Sequence, residues 1–123
     1  MADAIVRDLH HDGPNAWLRY FVHSDRFFMA SGGELVFPNI DTAQVFVRQF
    51  AKGINRVDLT WSNVRVDSLA PGLAVLAASF KEIQMNWSGV RATPAGYFTG
   101  VAELTPQGWK LRNAHWSMKG QGQ

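Results

Sequence analysis

Tyr97-Phe98-Thr99-Gly100-Val101-Ala102-Glu103-Leu104, then Thr105-Pro106-Gln107-Gly108, then Trp109-Lys110-Leu111-Arg112-Asn113-Ala114-His115-Trp116-Ser117: this stretch decides the fold. Two extended runs flank a Pro/Gly turn, which predicts a β-hairpin. Side chains alternate across a strand. The returning run therefore splits into Trp109, Leu111, Asn113, His115 and Ser117 on one face and Lys110, Arg112, Ala114, Trp116 and Met118 on the other. The first set begins apolar and ends polar, as a face does that closes a core at one end and lines a cavity mouth at the other. The second set, with Trp116, is the expected outer face.

Upstream of the hairpin the period of 2 continues. Val57, Leu59 and Trp61 alternate on odd numbers, whereas Val64 and Val66 continue on even ones. Such a change of parity near Ser62-Asn63 predicts a β-bulge or a sharp strand bend. Ser68 to Gly72 reads as a turn, and Leu73 to Met85 as a long strand. Asn86 to Gly89 turns again, Val90 to Thr93 is extended, and Pro94-Ala95-Gly96 breaks the run before the hairpin.

The first half has a different period. Residues 3–11 form a short helix with Ile5, Val6 and Leu9 on one stripe, and Asp12-Gly13-Pro14 ends it and opens a second helix over Ala16 to Val22. Arg26 to Ala30 and Glu34 to Phe37 pair as a small hairpin about Ser31-Gly32-Gly33. Asp41 with Gln44 has the form of a capping box. The helix it opens points Val45, Phe46 and Phe50 inward, Arg48 and Lys52 outward, and stops at Gly53. Residues 120–123 read as a frayed tail. Helices first and long antiparallel strands afterwards predict one α+β domain over residues 1–123. The expected shape is a cone, with N-terminal helices packed on a strongly curved antiparallel or mixed sheet around a pocket.

Composition narrows the function. The net charge is +2 in 123 residues, with Lys and Arg scattered singly, which argues against a nucleic-acid partner. There is no cysteine and hence no disulfide or thiolate chemistry. The acidic start lacks the basic and apolar regions of a signal peptide, and the stretch from Ser68 to Phe80 is too short to span a bilayer. The expectation is a soluble cytoplasmic protein with no membrane partner. Eight Phe, five Trp and two Tyr are enough to wall a pocket as well as fill a core.

The ending Gly108-Trp109-Lys110-Leu111-Arg112-Asn113-Ala114-His115-Trp116-Ser117 resembles the Trp-x-apolar-x-x-x-His-x-Ser last strand of SnoaL-like domains. These belong to the nuclear transport factor 2-like superfamily, with ketosteroid isomerase, scytalone dehydratase and a calmodulin-dependent kinase association domain. The order of helices, hairpin, helix and four strands matches over nearly the whole chain. The resemblance implies a cone-shaped α+β fold, commonly a homodimer formed through the sheet, with a pocket between sheet and helices. Because that backbone carries isomerases, dehydratases, cyclases and assembly domains, fold alone does not decide function.

His115 and Asn113 lead the candidate residues, as a proton relay and its orienting partner or as polar tips of a ligand pocket. The bland alternative for His115 is a hydrogen bond to a neighbouring strand or to Ser117. Lys81 is the one cation in an apolar strand; by resemblance to the kinase association domain it matches a cavity arginine, and otherwise it is a solvated strand end paired with Glu103. A second such arginine would fall near Gly100, which weakens an anion-binding reading. Trp17 and Trp61 are the expected pocket walls, with Tyr20 beside them. Tyr20, Asp25, Asp58 and Tyr97 supply isomerase-type groups, yet no spacing forces them together. His10-His11-Asp12 lacks the convergence of a metal site, so no metal and no cofactor is expected. These residues point first to a dimeric binding domain for a small apolar ligand. The alternatives are a lyase or isomerase of an apolar carbonyl compound with His115 as general acid/base, and an architectural dimerisation module.

Overall fold

A computed structural model describes residues 1–119; the expected tail at 120–123 lies outside the described residues. Ile5 and Leu9, one turn apart, bury one stripe of α1 (Ala2–Asp12). Gly13, at φ 76°, ends that helix in a backbone region that suits glycine, its N–H donating to Leu9 O at 2.9 Å. Pro14 then starts a 3-10 helix (Pro14–Tyr20), not the α-helix expected there. Tyr20 Oη donates to Asp8 Oδ2 at 2.5 Å and Arg19 pairs with Asp12 at 2.7 Å, so the second helix is strapped to the first.

β1 (Phe28–Ser31) and β2 (Glu34–Phe37) form the expected hairpin. The next helix, α2 (Ile40–Gly53), starts earlier than its capping pattern implied. Asn39 is its cap, the side-chain oxygen accepting from Thr42 N at 2.8 Å, whereas Asp41 sits in the first turn. Its inward face is also rotated from expectation. Ala43 and Val47 are the buried pair, Val45 is 63% exposed, and Phe46 and Phe50 lie to the side, stacked at 6.1 Å.

The remaining strands are β3 (Ile54–Ala70), β4 (Leu73–Asn86), a short β5 (Arg91–Ala92), β6 (Ala95–Thr105) and β7 (Gly108–Met118). They complete a seven-stranded sheet in the order β2-β1-β7-β6-β4-β3, with β5 on β4. All pairings are antiparallel except β1 with β7. β3 and β4 extend further than expected and meet at a tight turn, Pro71-Gly72.

Of the register shifts in this sheet, two decide which residues face the helices. In β3, Ser62 faces Ser79 and Arg65 faces Ala77, so β3 holds one residue more than its partner, and Asn63 takes φ 54°. This is the irregularity that the parity change foretold. In β7, Val101 faces Asn113 but Ala102 faces Leu111, leaving Arg112 as the extra residue. That second bulge corrects the expected faces of β7. Upstream of it Leu111 is buried; downstream the inward residues are Ala114, Trp116 and Met118, while His115 and Ser117 turn outward. Trp116 is thus an inner residue, not part of an outer dimer face.

The helices cover the concave side. Ile5, Leu9, Phe27, Val57, Phe98 and Leu111 are the large side chains almost wholly buried there. Burying each stabilises the fold by about 1.5–3 kcal/mol before entropy is counted. Among the described residues, no helix is long and apolar enough to cross a membrane.

Candidate functional site

Between the concave sheet face and the helices lies a cavity of about 620 Å³. The 3-10 helix contributes Pro14 and Trp17, α2 contributes Phe46, Val47 and Phe50, and the sheet contributes Val57, Phe80, Trp116 and Met118. The β1–β2 hairpin closes another side with Met29, Ser31 and Glu34 to Phe37. At the centre of the wall is Trp116, its ring 4.5 Å from Phe98, 4.9 Å from Phe80 and 5.3 Å from Trp17, centre to centre. Its Nε1–H donates to Met29 Sδ at 3.2 Å, so the indole nitrogen is not left unpaired in apolar surroundings.

One carboxyl group enters this apolar space. On β4, Ala74, Leu76, Ala78 and Phe80 project inward, and Glu82 and Gln84 continue the same parity into the cavity wall. Glu82 is 8% exposed and is the buried charged side chain among the described residues. Its backbone N–H donates to Pro94 O at 2.9 Å, fixing the strand at that point. Gln84 Nε2 donates to Glu82 Oε1, and among the described residues Oε2 has no protein donor. Burial raises the Glu82 pKa above the ordinary carboxylate value, with the Gln84 amide pulling weakly the other way. A carboxyl so placed can donate a hydrogen bond when neutral and accept a proton when charged. Glu34 stands at the exposed mouth, and among the described residues no Lys, Arg or His lines the cavity.

The residues singled out in sequence fall in several places. Trp17 lines the cavity. Trp61 stands behind it, stacked on Trp116 at 6.1 Å and donating to Ala2 O at 3.2 Å. Lys81 is exposed, on the face opposite Phe80 and Glu82. Tyr20 edges a separate depression with Arg19 and Trp109, its hydroxyl held by Asp8. His115 and Asn113 line a shallow outer depression of about 170 Å³ with Phe28, Val75 and Thr99. The bulge at Arg112 put them there. Asp58 is engaged by His10 Nδ1 and Arg56 Nε, each at 2.7 Å, and Tyr97 is on the outer face, so the isomerase-type groups do not converge. Among the described residues, no group of three or more His, Asp or Glu is arranged to hold a metal ion.

Glu82 is absent from the candidates drawn from sequence, although a signal for it existed. It has the parity of the apolar face of its strand, whereas Lys81 beside it has the opposite parity.

No protein-family model matches this sequence, and no curated protein matches it either. Solved structures do resemble the fold. A putative scytalone dehydratase from Novosphingobium aromaticivorans superposes with a TM-score of 0.79 at 11% identity, over 96% of this chain and 78% of that one. A nuclear transport factor 2-like superfamily protein from Salmonella enterica gives 0.76 at 12% identity, over 99% and 88%. A putative calcium/calmodulin-dependent protein kinase II association domain from Xanthomonas campestris gives 0.74 at 14%, over 98% and 84%. The chain therefore has the nuclear transport factor 2-like α+β cone fold, an open curved sheet roofed by N-terminal helices.

Proposed function

We propose that this chain is a small-molecule-binding domain whose aromatic-walled cavity takes an apolar compound and reads one polar group on it through Glu82. The observation that carries this reading is the single buried carboxyl set in a cavity of about 620 Å³ otherwise lined almost entirely by apolar and aromatic side chains. Pockets of this size with few convergent polar groups are the usual form of ligand sites. Trp17, Phe80 and Trp116 would supply contact area, and Glu82 with Gln84 would supply orientation. Calorimetric titration with neutral 1-naphthol tests it. Saturable one-to-one binding that is lost when Val36→Trp blocks the mouth supports the cavity as the site; binding unaffected by that substitution would place the ligand elsewhere.

A second reading, a lyase or isomerase, is favoured by the raised pKa of Glu82, since burial tunes carboxyl groups toward acid–base work. In that reading the proton-transfer role expected of His115 passes to Glu82, which alone of the two borders the large cavity. We also propose that the protein self-associates through the outer sheet face. Val75, Val101, Phe28 and Tyr97 leave apolar surface there, with His115 and Asn113 among them.

A further inference from the structure

The charges around the cavity are of one sign. Glu82 lies in its wall and Glu34 at its mouth, and among the described residues no basic side chain lines it. The remaining surface is dominated by rings, with Trp116 meeting Trp17 and Phe80 edge to face at 5.3 and 4.9 Å. Aromatic faces are negative and edges positive, so a cage of rings offers a cation further attraction. A carboxylate ligand would meet like charge without a counter-ion and would lose its hydration. A protonated amine would meet Glu82 Oε2, the oxygen that Gln84 leaves without a donor.

We propose that the ligand is an apolar molecule bearing one basic nitrogen, an arylalkyl or alicyclic amine bound as its ammonium against Glu82 with its hydrocarbon part against Trp17, Phe80 and Trp116. This rests on the cavity being a binding site, and it adds the charge class of what enters. Glu82 is disfavoured as an anion while the cavity lacks a cation; an ammonium within about 4–6 Å reverses that preference. The buried carboxyl and the ligand then complete one another. Selectivity follows from low polarity, since a charge contact inside such a site outweighs the same contact in water.

The test is a matched set titrated calorimetrically into the full chain at pH 7: 1-naphthylmethylamine, 1-naphthylmethanol, 1-acetonaphthone and 1-naphthoate. The amine is expected to bind at least about tenfold more tightly than the alcohol, the size of a contact that moves a pKa by one unit. The carboxylate is expected not to bind. Glu82→Gln is expected to abolish the amine's advantage over the alcohol. Equal binding of amine and alcohol overturns the charge assignment and leaves the cavity reading standing. Tighter binding of the ketone overturns it in favour of a neutral Glu82 acting as donor. Binding by none of the four removes both. If Glu82→Gln does not fold, the ranking of the four compounds on the unaltered chain decides alone.

Discussion

Gln84 and Glu82 project from the same face of β4, and the Gln84 amide donates to Glu82 Oε1 inside the cavity wall. The interaction leaves the carboxyl half satisfied. One oxygen is held, the other has no donor among the described residues, and burial rather than a charged neighbour raises its pKa.

From this follows a pH dependence with a definite sign. The folded-state pKa of Glu82 lies above its unfolded value near 4.5. Between the two, the folded chain binds more protons than the unfolded one. The contribution is therefore fully present below the unfolded value and lost as pH rises through the folded one. Urea midpoints measured from pH 4 to pH 8 should show Glu82→Gln gaining on the parent as pH rises. A constant difference across that range would deny the raised pKa.

Trp116 sits within 4.5 to 6.1 Å of four other rings. Truncating it to alanine should cost about 3 kcal/mol, the low end for a large aromatic because it borders a cavity and is only partly buried. Trp116→Glu should be worse, setting a charge against Phe98 and Phe80. Denaturant unfolding checks both. A variant as stable as the parent would return Trp116 to the outer surface.

At Gly96 a Cβ would stand 1.8 Å from Ser117 O on the neighbouring strand. Backbone cannot yield as a flexible side chain can. Gly96→Ala should destabilise by about 1–3 kcal/mol, in the range of overpacked sites, with the loss read from thermal melts. Gly53, with nothing near its Cβ position, is the control expected to tolerate alanine.

Self-association through the outer sheet predicts its own variant. Tyr97 is 42% exposed on that face, paired across strands with Ser117. Tyr97→Glu should lower the sedimentation coefficient to that of a monomer without altering the melt. A monomeric parent, or an unchanged profile, would reject this surface as the contact.

Much of the architecture was readable because periodicity and turn chemistry are local. Pro71-Gly72, Pro106-Gln107-Gly108 and the odd-to-even change after Trp61 each report on their own neighbourhood, and each corresponds to a turn or bulge in the fold. The site was less readable, and for one reason. Reading which residues of β7 share a side assumes an unbroken alternation, and Arg112 breaks it. The sign was there in weaker form: Trp109 and Leu111 give way to Asn113 and His115 on one parity, while Lys110 and Arg112 give way to Ala114, Trp116 and Met118 on the other. The same swap of parity marks the bulge in β3. Asn39 displaced Asp41 as the helix cap because both residue types accept the same hydrogen bonds, and only the path of the chain before Ile40 chooses between them.

The extra residue at Arg112 has a consequence for how this scaffold can change. Adding a single codon just after it, with the bulge and β6 unaltered, would slide the downstream register by one and carry the imidazole of His115 and the amide of Asn113 toward the interior while expelling an indole. Few point substitutions rewrite so many wall positions at once. A strand able to exchange its two sides by gaining or losing one amino acid offers a short mutational route from a greasy receptacle to one furnished with titratable groups.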